Sequence, residues 1–252
     1  MNDDLKARGW TVLPGVVSPV MLAWMRGDMD VALKFCRDWQ VCNDVGGGTE
    51  GTVHHLAAFP VLGSFLAFLD INPAANVIAD FFGGPYILNS FGGNFNLPGR
   101  PHYANKVHRD QRSWSHDRLM LNTLVTLDDT TQENGATWLL SGSHNEPGKP
   151  SDELFNNQAV QVCAPAGSII LWDSRVWHRA GDNRADKPRR IVTPIFTRPW
   201  MKQGFDYPRA LGYDVTWQPA LHQVLGYNSR VPATFDEWYQ PPDKRMYLGS
   251  QG

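Results

Sequence analysis

Three residues of this chain have the types and the spacing that suit metal chemistry: His108 and Asp110, one residue apart, and His178 far downstream. In a β-strand, residues i and i+2 project from the same face, so His108 and Asp110 can bind one ion from a single short element. Two imidazoles and one carboxylate on one face of an octahedron leave the opposite positions open for a co-substrate and for O2. The set therefore predicts a catalytic mononuclear non-heme Fe(II) site.

The sequence around His178 strengthens this prediction. A His-x-Asp pair alone is a weak signal, because a chain with eight histidines offers many chance matches. A glycine turn and an apolar run over residues 167–173, however, predict a buried strand that leads to His178. After a polar stretch, Arg189 and Arg190 begin a second apolar segment that predicts the returning strand. An arginine thus lies close to the third proposed ligand.

Further motifs accompany these residues. They are Asn134-Gly135-Ala136-Thr137, Ser141-Gly142-Ser143-His144, an arginine eleven positions after His178, and an opening strand and turn over residues 9–18. Together with His108-x-Asp110, they resemble the phytanoyl-CoA dioxygenase family of Fe(II)- and 2-oxoglutarate-dependent oxygenases. The resemblance covers roughly the first four fifths of the chain and ends near residue 200.

The resemblance implies 2-oxoglutarate as a co-substrate beside Fe(II) and O2. The far carboxylate of 2-oxoglutarate needs a buried cation, and a guanidinium stays charged there and forms two parallel hydrogen bonds. Because neighbours alternate along a strand, one of Arg189 and Arg190 must point inward, and the family spacing favours Arg189. The Thr137 hydroxyl is a second candidate for the same carboxylate, although threonine is also an ordinary strand residue.

Candidates for a substrate wall are Trp114, Gln111 and Trp138. If a strand runs from residue 107 to 114, Trp114 shares the face of His108 and Asp110 and its indole could stack on a substrate; core packing is the alternative. Related halogenases carry Gly or Ala in place of the aspartate. The resemblance therefore implies hydroxylation of a C–H bond with release of succinate and CO2, while desaturation and epoxidation stay open. The substrate itself is not indicated.

Short apolar or alternating segments separated by Gly, Pro, Asn and Asp predict strands. They span residues 86–89, 107–114, 119–127, 137–140, 160–162, 168–172 and 191–197. Helices are predicted from Ser18 to about residue 38 and over residues 72–83. The pattern predicts a mainly β fold with flanking α-helices and a double-stranded β-helix core, a cupin-like jelly roll.

Composition indicates one domain over residues 1–252, because 252 residues with 42% hydrophobic content can bury a large core. A net charge of -2 with dispersed lysines and arginines argues against nucleic acid as a partner. Three irregularly spaced cysteines do not form a disulfide framework. With no signal peptide or membrane span apparent, we expect a cytoplasmic monomer or homodimer that acts on a small molecule.

Residues 199–252 contain aromatic residues among Pro and Gly without a clear period, which predicts an irregular extension packed on the barrel. Two other functions stay open for the whole chain. A non-catalytic cupin-like ligand-binding protein could use the same fold. A Zn- or Mn-dependent hydrolase or isomerase could use the same two histidines and aspartate.

Overall fold

The computed structural model describes residues 3–45, 49–59, 62–100, 103–212 and 217–245. Its strands are β1 (Trp10–Leu13), β2 (Thr52–Val53), β3 (Ile87–Asn96), β4 (Met120–Thr126), β5 (Trp138–Leu139), β6 (Val160–Gln161), β7 (Ile169–Asp173), β8 (His178–Arg179) and β9 (Arg189–Thr197). They form a six-stranded sheet in the order β1-β7-β4-β9-β3-β2 and a three-stranded sheet in the order β6-β5-β8. All the pairings within both sheets are antiparallel.

Helices flank the sheets. They are α1 (Asp3–Ala7), α2 (Pro19–Cys42), α3 (Gly63–Asp70), α4 (Ala75–Phe82), α5 (Asp152–Gln158), α6 (Tyr207–Leu211), α7 (Pro219–Leu225) and α8 (Phe235–Trp238). The predicted start of α2 is confirmed, because the Ser18 hydroxyl accepts a hydrogen bond from the Met21 amide. The predicted end of α4 is also confirmed, since Gly83 follows it with a φ of 67°. The helix α3 was not predicted.

Side chains that alternate along the large sheet build two apolar layers. On one face, Leu121 and Val125 of β4 join the core cluster that contains the buried residues of α2, α3 and α4. On the other face, Leu124 packs in one cluster with Ile170 of β7 and with Leu139 of the smaller sheet. Because both faces of β4 and β7 are covered, apolar residues occupy both faces of these strands. The second layer therefore lies between the two sheets.

The predicted strand over residues 107–114 is wrong. Within the described residues of this segment, only His108 pairs as a strand does, in an isolated antiparallel bridge with His178. The ladder stops because the amides of both Asp110 and Gln111 donate to one carbonyl, that of Ser174. Two successive amides that share one acceptor cannot continue a regular ladder, in which side chains and amides alternate in direction.

The strand β3 is longer than the predicted segment 86–89 and extends to Asn96. Its continuation contains Gly92 and Gly93, which lower the strand propensity of that part of the sequence. The structure shows why glycine is present, since a Cβ at Gly93 would lie 2.9 Å from Cγ2 of Val53 in β2. The close approach of β2 thus explains why glycine, a residue of low strand propensity, is present in this part of β3.

The predicted irregular extension contains three short helices, α6, α7 and α8. Residues 213–216 and 246–252 of that prediction lie outside the described residues. Among the described helices, none is by itself long and apolar enough to cross a membrane; α3 and α4 taken together meet that criterion but are bent by 62°.

Candidate metal centre and co-substrate cavity

The side chains of His108, Asp110 and His178 lie together. One potential ligand atom from each lies within 4.8 Å of the others. Nε2 of His108 is 3.7 Å from Oδ1 of Asp110, and Nε2 of His178 is 3.5 Å from Oδ2. Two imidazoles and a carboxylate from two separated segments can therefore reach one ion.

Hydrogen bonds orient both imidazole rings. Nδ1 of His108 lies 2.7 Å from the carbonyl oxygen of Lys106, and Nδ1 of His178 lies 2.9 Å from that of Val176. A carbonyl oxygen only accepts, so each neutral ring carries its proton on Nδ1 and directs the lone pair of Nε2 towards Asp110. Burial also lowers the pKa of His178, which favours the neutral, metal-binding form.

Backbone pairing brings the two segments into register. The amide of His108 donates to the His178 carbonyl at 2.9 Å, and the amide of His178 donates to the His108 carbonyl at 2.8 Å. His178 also belongs to β8, where it pairs with Leu139 of β5. The third ligand is thus fixed between the smaller sheet and the segment that carries the first two.

Arg189 lines a cavity of about 280 Å³. Its side chain is buried, and its Nε and Nη1 atoms have no hydrogen-bond partner among the described residues. Burial lowers the pKa of Arg189 to about 10, so the guanidinium remains charged at neutral pH. A buried cation with unused donors at a cavity is suited to bind an anion, and a carboxylate matches its geometry.

Arg190 occupies the opposite environment. It binds Asp128 through its main-chain amide at 2.8 Å and through two side-chain hydrogen bonds of 3.0 Å. Arg26 of α2 lies 3.4 Å from the same carboxylate, so Arg190 belongs to the helix-covered face of the sheet. Thr137 lines the cavity that holds Arg189, which leaves it a candidate for the same ligand.

The predicted substrate residues do not line this cavity. Gln111 is buried and donates from Nε2 to the Ser113 carbonyl at 3.2 Å. Trp114 lies in an irregular segment, with the guanidinium groups of Arg109 and Arg175 over its ring at 5.5 and 5.8 Å. Because residues 107–114 do not form a strand, the alternation that predicted Trp114 on the same face as His108 and Asp110 does not apply.

Trp138 lies on the outer face of the smaller sheet, and its role in a substrate wall stays a prediction. In the β5–β8 pairing, Trp138 faces Arg179 while Leu139 faces His178. Since neighbouring side chains alternate, Trp138 points away from the side on which Leu139 enters the core between the sheets. The structure does not bring it to the metal centre.

Three residues of the site were not recognised in the sequence. Tyr103 lines the cavity, and desolvation together with the negative charge of Asp110 raises the pKa of its phenol. Asn122 donates a short hydrogen bond to Oδ2 of Asp110, and Ser174 donates to Asn122. A polar residue at an inward position of the apolar strand β4 is the signal that could have identified Asn122.

This fold and this site define a class of protein. Antiparallel sheets with a His-x-Asp pair and a distant histidine around one point are typical of Fe(II)- and 2-oxoglutarate-dependent enzymes. The sequence model of the family described as phytanoyl-CoA dioxygenase (PhyH) matches residues 5–191. The chain belongs to this family, and the resemblance found in its motifs is confirmed.

Relatives extend over most of the chain. The uncharacterized protein Rv1501 of Mycobacterium tuberculosis is 38% identical over 265 residues, which cover 100% of this chain and 95% of that protein. Dioxygenase af480 of Aspergillus fumigatus is 25% identical over 268 residues, which cover 95% of this chain and 82% of that protein. The crystal structure of EctD from S. alaskensis with 2-oxoglutarate and 5-hydroxyectoine matches with a TM-score of 0.65 and 18% identity, covering 77% of this chain and 74% of that one. The last comparison shows a shared fold.

Proposed function

We propose that this protein is an Fe(II)- and 2-oxoglutarate-dependent dioxygenase that hydroxylates an unactivated C–H bond of a small molecule and releases succinate and CO2. The observation that carries the proposal is the combination of the His108, Asp110 and His178 cluster with the buried guanidinium of Arg189, whose Nε and Nη1 have no hydrogen-bond partner in the part of the chain that the structure describes. Membership in the PhyH family and the name of the af480 relative support it.

We also infer that the two sheets are the halves of a double-stranded β-helix. The apolar cluster shared by Leu124, Ile170 and Leu139 closes the space between the sheets. In such a barrel the inward positions of β9 and of the smaller sheet face one interior, which is where the ligand cluster and Arg189 are needed. The fold similarity to EctD supports this interpretation.

The donor set fits Fe(II). His108 and His178 would bind it through Nε2, Asp110 through a carboxylate oxygen, and the remaining positions would be open. When bound, the iron supplies the redox chemistry that couples O2 to oxidation of 2-oxoglutarate and of the substrate. The protein fixes the two rings through the Lys106 and Val176 carbonyls, so the ligands do not have to reorient when the metal arrives.

Arg189 and Thr137 would hold the far carboxylate of 2-oxoglutarate. The guanidinium can donate two parallel hydrogen bonds, and the Thr137 hydroxyl can donate a third. Both side chains lie at the same cavity, where the exclusion of water strengthens each bond. Neither a binding protein nor a hydrolase requires this cation beside its metal site, which favours the oxygenase over those two alternatives.

The proposal is tested by a substrate screen. The protein is reconstituted anaerobically with Fe(II), mixed with 2-oxoglutarate and a metabolite library in air, and succinate is quantified by mass spectrometry. We expect slow succinate formation without substrate, and a compound that stimulates it and gains 16 mass units in about equal amount. Release of a hydrolysis product with no consumption of 2-oxoglutarate would instead assign the site to a hydrolase.

A further inference from the structure

Asn122 and Ser174 connect the centre of the large sheet to the metal-binding carboxylate. We infer that these two are positioning residues that hold Asp110 in the orientation in which it binds the metal. This inference rests on the proposed function, because it presupposes a metal at the site. Neither residue belongs to the ligand cluster, and both are buried.

The direction of each hydrogen bond follows from the chemistry of the partners. A carboxylate only accepts, so the group of Asn122 that contacts Oδ2 of Asp110 must be its NH2 group. The amide oxygen of Asn122 is then directed at Oγ of Ser174, whose hydroxyl donates to it. The Ser174 hydroxyl thus satisfies the amide oxygen of Asn122 while the NH2 group of Asn122 contacts the carboxylate.

Ser174 also holds the main chain of the same ligand. Its carbonyl oxygen accepts hydrogen bonds from the amides of Asp110 and Gln111, both at 3.1 Å. Its own amide donates to the Met120 carbonyl of β4 at 3.2 Å. One residue therefore fixes the backbone of Asp110 directly and, through Asn122, its side chain.

The location of Asn122 argues that this network has a function beyond stability. In the sheet register Asn122 lies between Trp172 of β7 and Ile195 of β9, where an apolar side chain would fit. Burying an amide at such a place is unfavourable unless its hydrogen bonds are satisfied. Here one of its partners is a proposed metal ligand. The hydrogen bond from Asn122 would thus fix the carboxylate plane of Asp110 between the two histidines.

The inference is tested with Co(II) as the probe. Apo protein is titrated with Co(II) and followed by its visible absorption, for the wild type, Asn122→Ala and Ser174→Ala. We expect the dissociation constant to rise about 10–100-fold in Asn122→Ala, the usual effect of losing a group that orients a metal ligand. Ser174→Ala should shift it in the same direction and by less, because the amide of Asn122 remains.

Thr123→Ala provides the matched control. Thr123 is the next residue of β4, is as buried as Asn122, and donates a hydrogen bond of 2.6 Å to the Pro194 carbonyl without contacting Asp110. Its loss should lower the thermal stability of the apo protein and leave Co(II) affinity unchanged. Ser174→Ala keeps the test decisive if Asn122→Ala does not fold.

The outcomes separate this inference from the function on which it rests. If the wild type does not bind Co(II) at all, the metal site is absent and both fail. If the wild type binds Co(II), and the Asn122 and Ser174 variants bind it as tightly while losing only stability, as Thr123→Ala does, the positioning role is overturned alone.

Discussion

Arg189 and Arg190 are neighbours on β9, and their guanidinium groups lie in opposite environments. Arg190 is partly exposed and forms a two-point ion pair with Asp128. Arg189 is 2% exposed, and two of its nitrogen donors have no partner among the described residues. A buried, unpaired cation destabilises a protein. It is retained here, on our account, because the carboxylate of 2-oxoglutarate completes its hydrogen bonds.

Replacing each arginine by lysine tests this distinction. In Arg189→Lys, the loss of two parallel hydrogen bonds should weaken 2-oxoglutarate binding by about 10–100-fold, which corresponds to roughly 1.4–2.8 kcal/mol. Arg190→Lys should leave that affinity unchanged and cost at most about 1 kcal/mol of stability. Calorimetric titration of Co(II)-loaded protein with 2-oxoglutarate measures the affinity of both variants, and urea unfolding measures their stability. Equal losses of affinity in the two variants would contradict the assignment.

The triad could be predicted from the sequence because metal chemistry restricts the residue types and a two-residue spacing places His108 and Asp110 on one side. Polarity within a buried strand could have singled out Asn122, but its contact with Asp110 could not be predicted, because the contact depends on which strand packs opposite Asp110. The outward direction of the Trp138 side chain could not be predicted either. A two-residue strand such as β5 contains too little alternation to show which of its side chains faces inward.

At the scale of elements, the segment after β7 organises the metal centre. Ser174 and His178 pair with Asp110 and His108, and between them Arg175 binds Asp173 at 2.9 and 2.7 Å. The remaining donor of Arg175, Nη1, reaches the carbonyls of Ser115 and His116, each at 3.0 Å. The Arg175 guanidinium therefore fixes the irregular segment that follows Gln111.

Arg175→Lys should release that segment. A lysine can pair with Asp173 but cannot also hold two carbonyls, so amides over residues 113–118 should exchange with solvent about tenfold faster or more. Hydrogen-exchange mass spectrometry on the apo protein provides the measurement. Arg179→Lys is the control, since Arg179 packs over Trp138 at 5.5 Å on the outer face. Unchanged exchange in Arg175→Lys would show that the segment is held by other contacts.

Asp128 joins β9 to α2 through Arg190 and Arg26. Burial acts to raise the pKa of Asp128, but the hydrogen bonds and charges of these two arginines outweigh it and leave the pKa below its usual range. A carboxylate with a lowered folded-state pKa stabilises the protein above its unfolded pKa of about 3.9, and that stability is lost as the pH falls through the folded value.

The effect of Asp128→Asn on the free energy of unfolding should therefore depend on pH. At pH 7 we expect a loss on the order of 1 kcal/mol, discounted because the pair is partly exposed. As the pH falls below about 3.9, the wild type should lose this advantage, and the free energies of unfolding of the two proteins should become equal. Urea unfolding at a series of pH values measures the difference. A constant difference down to the lowest pH would exclude an electrostatic origin.

Elements differ in how well the sequence predicts them. The apolar runs of β4 and β7 and the capped start of α2 were predicted, since burial and capping are local signals. The prediction of a strand over 107–114 was wrong because the Ser174 carbonyl, 63 or more residues away, accepts from two successive amides of this segment and interrupts its strand pairing. The extension of β3 was missed because Gly92 and Gly93 have low strand propensity. They are present because β2 packs closely against them.

For the whole molecule, several described residues after β9 belong to the main core. Tyr207, Leu221, Leu225 and Tyr227 are buried in the same cluster as the residues of α2 and α3. The resemblance in motifs ends near residue 200, and the family match ends at residue 191. Described residues beyond both limits pack in the same core cluster, and we propose that the chain forms one domain.

Leu225→Ala tests this integration. Leu225 is 0% exposed, so its truncation should cost about 2–5 kcal/mol in the free energy of unfolding. Val231→Ala is the matched control, because Val231 is 86% exposed and should change stability by less than about 0.5 kcal/mol. Urea unfolding should also show one transition. A separate early transition, affected by Leu225→Ala alone, would indicate that the C-terminal segment is an independent unit.

The central claim is that His108, Asp110 and His178 bind an iron that consumes 2-oxoglutarate. Its most direct test is succinate formation by the Fe(II)-reconstituted protein in air, compared among the wild type, His108→Ala and Asp110→Ala, with Thr123→Ala as a folded control. We predict Fe(II)-dependent succinate from the wild type and the control, and at least about 100-fold less from both ligand variants. Succinate at wild-type rates from Asp110→Ala, or none from the wild type under any substrate, would contradict the account.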